Sequence, residues 1–125
     1  MNRNPRRRWE YAGTLAALVA SAPLWAPTRA AAADKKVERL WKSKCASCHG
    51  ADGKAQTDQG KEQGVADMTT ADWQKAFTDQ QLKDATLNGL KREKGGKQQE
   101  MKPYKDGLKP EEVDALVAHI RGLKQ

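Results

Sequence analysis

Apolar residues recur at helical spacing at both ends of the polar part of the chain. Near its start, Val37, Leu40 and Trp41 predict a helix over residues 35–47. Near its end, a helix is predicted to begin at Pro110, because proline suits the first turn and two glutamates follow it near the positive end of the helix dipole. The apolar face of this last helix consists of Val113, Leu116, Val117, Ile120 and Leu123.

Two shorter helices are predicted between these. One covers residues 70–77, and the other begins at Thr78, which fits a capping box with Gln81, and ends at Gly89. Loops are predicted for two polar, glycine-containing stretches without periodicity, residues 50–64 and 91–100. Since no segment alternates convincingly as a strand would, the pattern predicts an all-α domain.

The first 33 residues differ in character from the rest. Arginines at positions 3, 6, 7 and 8 precede an apolar stretch over residues 11–25, and a run of small residues ends at Ala33. This order predicts a secretory signal peptide over residues 1–33 and a mature domain over residues 34–125. The mature protein would then be exported to the periplasm. The alternative is an uncleaved leader that anchors the protein to the membrane, although the stretch is short and interrupted by Pro23.

One short motif contains both cysteines and one of the two histidines of the chain, Cys45-Ala46-Ser47-Cys48-His49. Thiols at positions i and i+3 lie on one side of a helical turn, so they can add to the two vinyl groups of a haem. His49 can then present its imidazole to the iron as an axial ligand. Bacteria form these thioether bonds outside the cytoplasm, which agrees with the predicted leader.

Three other interpretations of the motif are weaker. A disulfide between Cys45 and Cys48 would suit an oxidising compartment but leaves His49 unexplained. A thioredoxin-like redox pair requires a βαβ setting, and no strand is predicted here. A zinc site requires four ligands, and only His119 and scattered carboxylates remain to complete one.

Composition agrees with a bound apolar group. Only 18 of the 92 residues from 34 to 125 are large and apolar. A domain of this size buries too little surface to be stable without a covalent cross-link or an added apolar body. A haem would supply such a body. The net charge falls from +7 to +3 without the leader, which contains five arginines and one glutamate, so there is no strong case for nucleic-acid binding.

Residues 34–125 resemble the small bacterial class I cytochromes c. The first match is Cys45 to Gly53, which is similar to the family pattern C-x-x-C-H-G-x-x-G. The second is Asp67-Met68-Thr69 with Trp73 and residues 78–82, and the third is Met101-Lys102-Pro103-Tyr104 with residues 108–118. The resemblance implies three to five short helices around one covalently attached haem c.

The resemblance implies that Met101 is the sixth ligand of the iron. Met101 lies in a predicted loop rather than on a helical apolar stripe, and Pro103 favours an extended conformation at Lys102, which suits a loop that presents a side chain. The family often has proline directly after the methionine, whereas Lys102 intervenes here. The two other candidates for the sixth ligand are interpreted differently: Met68 is expected to be a core residue, and His119 a packing or surface histidine.

Further family roles carry over to single residues. Trp73 is expected to bind haem and to donate its indole N–H to a propionate, with plain core packing as the alternative. Leu40 and Trp41 are expected to pack on Leu116 and Ile120, where the terminal helices cross in this family.

The function implied is one-electron transfer between a redox protein donor and an acceptor. We expect no catalysis, no small-molecule substrate and a monomer. If Met101 does not bind the iron, the alternatives are a haem-based ligand sensor or a peroxidase-like catalyst, and a further alternative is an electron-entry subunit of a larger oxidoreductase. A basic rim next to Met101 would attract acidic partner surfaces, unless it is merely a solvated loop. This basic rim is formed by Lys91, Arg92, Lys94, Lys97, Lys102 and Lys105.

Overall fold

The computed structural model describes residues 29–125 of the chain. The predicted leader therefore lies outside the described residues, except that positions 29–33 belong to the first helix. Within the described range, no helix combines the length and the apolar character that crossing a membrane requires.

The described part is mostly helical, as predicted, and it also contains one small sheet. Its elements are α1 (Arg29–Lys44), α2 (Ala46–His49), α3 (Asp58–Gln63), α4 (Ala71–Ala76), α5 (Asp79–Asn88), β1 (Leu90–Lys94), β2 (Lys97–Met101) and α6 (Pro110–Gly122). These are six helices where three to five were expected. The excess comes from short segments, since α2 continues α1 after a break at one residue and α3 lies in a stretch predicted to be a loop.

Side-chain caps begin the middle helices where the sequence predicts them. Thr70 accepts a hydrogen bond from the backbone N–H of Trp73 at the start of α4. Thr78 and Gln81 form both bonds of the capping box at the start of α5, with distances of 3.2 and 2.8 Å. Gly89 ends α5 with a φ of 74°, a conformation that side chains with a Cβ rarely adopt. These local signals place both helices correctly.

The prediction of a loop over residues 91–100 is wrong, because this segment forms an antiparallel hairpin. Leu90 pairs with Met101 at its open end, and Gly95-Gly96 form the turn with φ values of 60° and 74°. Two successive positive φ angles match the turn that two-residue hairpins favour. Nearly every hairpin side chain is polar and exposed, so alternation between an apolar and a polar face was absent from the sequence.

The core lies where the two terminal helices meet, as expected. Trp41 of α1, only 2% exposed, shares one apolar cluster with Leu116 and Ile120 of α6, and Leu40 packs against the edge of that cluster. Arg121 on the same last helix donates hydrogen bonds to the carbonyl groups of Gln74, within α4, and of Phe77, directly after α4, both at 2.6 Å. The terminal helices and these middle helices thereby form one framework beside the cysteine motif.

Candidate functional site

The junction of α1 and α2 carries the cysteine motif. The N–H of Cys45 still bonds to the carbonyl of Trp41 at 2.9 Å, and the N–H of His49 bonds to the carbonyl of Cys45 at 3.0 Å. Cys45 and Cys48 are therefore one helical turn apart, and both thiols are half-buried and free. Gly50 ends the turn with a φ of 78°, which reverses the chain directly after His49.

A second glycine allows α3 to lie close to the motif. A Cβ on Gly60 would be 2.4 Å from the backbone oxygen of Cys48 and 2.6 Å from that of Ala55, so only glycine fits there. The hydroxyl of Thr57 donates to the same Cys48 oxygen at 3.1 Å and also accepts the N–H of Gly60. The stretch predicted to be a loop thus positions the backbone around Cys48.

A cavity of about 570 Å³ opens in front of this motif. Its volume lies in the range of sites for cofactors and other small molecules, roughly 300–1,000 Å³. The cavity borders both thiols and His49 on one side and Met101 on the hairpin. The remaining apolar side chains of its wall include Val65, Met68, Trp73, Phe77, Leu82, Leu90, Tyr104, Leu116 and Ile120.

The Cys45 thiol lacks the lowered pKa of a redox-active cysteine. Burial raises the pKa of Cys45 to about 11, and the nearby Lys44 only partly opposes this. Thioredoxin-like pairs instead lower the pKa of the attacking cysteine to generate a thiolate. Across residues 33–125, no three His, Cys, Asp or Glu side chains come together as a group that could hold a metal ion. At Cys45 the motif therefore lacks a thioredoxin-like thiolate, and the described residues supply no zinc ligand set around it.

His49 has two different ring nitrogens. Nδ1 is buried and has no hydrogen-bond partner among the described residues, whereas Nε2 is not fully buried and makes no hydrogen bond to them. Burial lowers the pKa of His49, which favours the neutral imidazole that binds metal ions. One side of the ring faces Trp41, with ring centroids 5.9 Å apart, and the indole N–H of Trp41 donates to the carbonyl of Gly50 at 3.0 Å. The packing thus fixes His49, and Nε2 is the less buried of its two ring nitrogens.

Both candidate methionines border the cavity, but their surroundings differ. Met68 is 8% exposed and belongs to the apolar core, and its carbonyl accepts a hydrogen bond from Gln74 at 2.7 Å. Met101 is half-buried and lies outside that core, at the end of β2. The prediction that Met101 lies in a loop is therefore wrong in detail, because the loop begins one residue later, at Lys102.

Trp73 also borders the cavity. It is half-buried and packs against Phe77 with ring centroids 5.1 Å apart, and its indole N–H has no hydrogen-bond partner among the described residues. Both roles considered for Trp73 remain compatible with this position. His119 does not reach the cavity and instead packs on Trp41, with ring centroids 5.2 Å apart.

Three residues of the cavity wall with polar groups were not predicted as site residues, although Arg92 was assigned to the basic rim and Tyr104 lies in the third family match. Tyr104 donates its hydroxyl to the carbonyl of Lys44 at 2.7 Å, which ties the segment after Met101 to the end of α1. Arg92 and Gln99 face each other across the hairpin and both border the cavity. A sequence signal existed for this pair, because alternate residues of a strand share a face and Gln99 is two residues before Met101.

These residues fit a haem group. The two free thiols lie one helical turn apart at the cavity wall, His49 offers Nε2, and Met101 borders the same space. The rest of the wall is largely apolar, as a flat hydrophobic macrocycle requires, and Arg92 and Tyr104 supply polar groups.

Comparisons with known proteins agree with this site. The family model described as cytochrome c matches residues 35–124. Among solved structures, the KustC0563 c-type cytochrome is 34% identical with a TM-score of 0.59, over 70% of this chain and 96% of that one. A mutant of Kustc0563 is likewise 34% identical with a TM-score of 0.58, over 70% of this chain and 98% of its own. None of the curated proteins matches the sequence.

Proposed function

Because the chain belongs to the cytochrome c family, with haem c as its covalently bound cofactor and electron transfer as its general role, we propose that it is a periplasmic one-electron carrier. In this proposal Cys45 and Cys48 form the thioether bonds, and His49 and Met101 are the axial ligands. Haem c, when bound, supplies an iron that alternates between Fe(II) and Fe(III).

The observation that carries the proposal is the shared cavity of His49 and Met101. These residues are far apart in sequence, yet both border the space in front of Cys45 and Cys48. Met68 borders it too, but it is packed into the core and its backbone is held on both sides by hydrogen bonds to Gly53 and Gln74. A sulfur ligand from Met101 would fill the sixth position and raise the reduction potential relative to a second histidine.

The protein's own contribution is to orient the axial ligands and to exclude water. Trp41 and the reversed chain at Gly50 fix His49, and Tyr104 holds the segment after Met101 against α1. The apolar walls keep water from the site, so the ligands need little rearrangement when the charge of the bound group changes.

The partners proposed are a donor and an acceptor protein with acidic docking surfaces. All six residues of the basic rim are exposed, and four of them belong to the hairpin that carries Met101. Positive charge beside the site would speed encounter with such partners and make the rate fall with salt.

The test is an optical spectrum of the full chain expressed in bacteria that attach haem c. In the oxidised protein we expect the weak red charge-transfer band of a Met–Fe(III) pair, and in the reduced protein no binding of carbon monoxide. Met101→Leu should abolish the band and admit carbon monoxide, whereas the matched control Met68→Leu should change neither. Both substitutions conserve volume. Met68→Leu should therefore cost less than about 1.5 kcal/mol, whereas Met101→Leu also loses the proposed bond between sulfur and iron.

The opposite results would contradict the proposal. A natural protein that takes up carbon monoxide readily would favour the ligand sensor or catalyst, and loss of the band only in Met68→Leu would transfer the ligand role to Met68. Mass spectrometry of the periplasmic fraction checks the leader, because cleavage after Ala33 would remove 33 residues.

A further inference from the structure

One face of the hairpin looks into the cavity. Alternate residues of a strand share a face, and the cross-strand pairs Leu90–Met101 and Arg92–Gln99 both lie on the cavity side. The Arg92–Gln99 pair is therefore the next pair on this face after Leu90–Met101, two residues or about 7 Å further along the strands. The same strand pair that presents a sulfur atom also presents a cation.

The side chain of Arg92 is held in place rather than free. Its Nε donates to Oε1 of Gln99 at 2.9 Å, and Nε2 of Gln99 donates in turn to the carbonyl of Gly64 at 2.6 Å. Both polar ends of Gln99 are thus used, and the chain of bonds connects the hairpin to the end of α3. This arrangement fixes the direction of the guanidinium plane.

Gln99 is unusual for its position. It is 6% exposed, whereas every other hairpin residue from 91 to 100 is exposed. A buried amide with both ends satisfied restricts its neighbours, and its loss would leave partners without hydrogen bonds. The burial of Gln99 therefore serves to hold Arg92 at the cavity wall.

The guanidinium still has unused donors. Its two terminal nitrogens have no hydrogen-bond partner among the described residues, and none of the ion pairs in that part of the chain includes Arg92. An arginine whose Nε is already bonded offers its remaining N–H groups as a fork that suits a carboxylate. Haem c carries two carboxylates on its propionate side chains, which are the anions that would enter this cavity.

We propose that Arg92, oriented by Gln99, binds a propionate of the haem and thereby helps to set its reduction potential. The proposal rests on the proposed function, because it requires haem c in this cavity. Arg92 is a cofactor-binding residue in this assignment and Gln99 is a positioning residue. An arginine beside a carboxylate keeps it ionised, and its positive charge favours the reduced haem, which carries one more electron.

The experiment measures the reduction potential of the haem-loaded full chain between pH 5 and pH 9. In Arg92→Gln we expect the equilibrium constant for reduction to fall about tenfold, or about 59 mV for one electron. We also expect the potential to become pH-dependent in the neutral range, because the propionate loses the charge that kept it ionised. Arg92→Lys keeps the charge but not the bond to Gln99, so its potential should lie between those of the natural protein and Arg92→Gln.

Lys91→Gln is the matched control. It removes the same charge from the adjacent residue, whose side chain lies on the other face of β1 and does not border the cavity. We expect Lys91→Gln to change the equilibrium constant for reduction less than about twofold and to add no pH dependence of the potential. Gln99→Met, of similar volume, should shift the potential in the same direction as Arg92→Gln.

Identical potentials and pH profiles for Arg92→Gln and Lys91→Gln would overturn the proposal. Full recovery by Arg92→Lys would overturn the role of Gln99. These failures differ from failure of the proposed function, since that would appear in the natural sequence as ready binding of carbon monoxide and absence of the Met–Fe(III) band. A loaded chain with unchanged potentials contradicts only the assignment of Arg92.

Discussion

Replacing His119 by phenylalanine should stabilise the protein. His119 packs on Trp41 between α1 and α6, with ring centroids 5.2 Å apart and planes inclined by 50°. Its Nε2 is buried and has no hydrogen-bond partner among the described residues. Phenylalanine keeps an aromatic ring against Trp41 and removes the unsatisfied nitrogen.

The size of the effect follows from that nitrogen. A buried polar atom without a partner costs about 1–3 kcal/mol. His119 is only half-buried as a residue, and it borders a small cavity of about 230 Å³ whose wall includes Glu38 and Lys42. The polar surroundings place the effect near the lower end of the range. We therefore expect His119→Phe to raise the free energy of unfolding by about 1 kcal/mol at neutral pH.

The gain should grow as the pH falls. Burial lowers the pKa of His119, and the negative charge of Glu38 opposes this only in part. Below the ordinary histidine value of about 6.5, the unfolded chain binds a proton that the folded protein still excludes. Stability contributed by this site is therefore complete above that pH and is lost as the pH falls towards the lowered pKa. The phenylalanine variant has no such loss.

The assay is urea unfolding of the haem-loaded protein at pH 8, 6.5 and 5. The control His119→Gln keeps a polar side chain at this position but cannot titrate, so it should share the flatter pH dependence without the gain at pH 8. If His119→Phe proved less stable than the natural protein at pH 8, or if its advantage shrank on acidification, the reasoning about the buried nitrogen would be refuted.

Two further substitutions test contacts around Met101. Tyr104→Phe removes the 2.7 Å hydrogen bond to the carbonyl of Lys44 and should lower the free energy of unfolding in urea by about 1 kcal/mol; an unchanged value would mean that this bond adds nothing to stability. Gly89→Ala would place a Cβ 2.4 Å from the backbone oxygen of Met101 at a φ of 74°, so it should cost at least about 2 kcal/mol and weaken the Met–Fe(III) band. Gly122→Ala, whose Cβ would meet nothing within 4 Å, is the control and should be neutral or slightly stabilising in both measurements.

The helices could be predicted because their signals are local. The capping box of Thr78 and Gln81 needs only residues three positions apart, and the apolar stripe of α6 repeats within one segment. The cysteine motif is equally local, since a single helical turn brings Cys45 and Cys48 to one side. None of these features depends on distant parts of the chain.

The hairpin could not be predicted in the same way. Residues 91–100 have no apolar face. Hydrogen bonds hold them in place, from Gln99 to the carbonyl of Gly64 and from the backbone N–H of Glu100 to the side chain of Gln63. Both partners precede α4 and α5 and are therefore distant in sequence. Only Gly95-Gly96 offered a local signal, and a glycine pair in a polar stretch is equally typical of a loop. Tertiary hydrogen bonds, rather than propensity, make this segment a sheet.

The choice of a sulfur ligand depends on that same tertiary arrangement. In the sequence, Met101 is favoured over Met68 by its loop context, by Pro103 and by the family resemblance, whereas the spacing from His49 would let either residue reach the opposite face of a haem. In the fold, Met68 is committed to the core, whereas Met101 extends from a strand end whose backbone is fixed by its pairing with Leu90. A ligand on a paired strand returns to one position whenever the iron changes charge, which keeps the rearrangement on electron transfer small. The hairpin that sequence patterns missed is therefore the element on which the proposed ligand and the proposed propionate contact both depend.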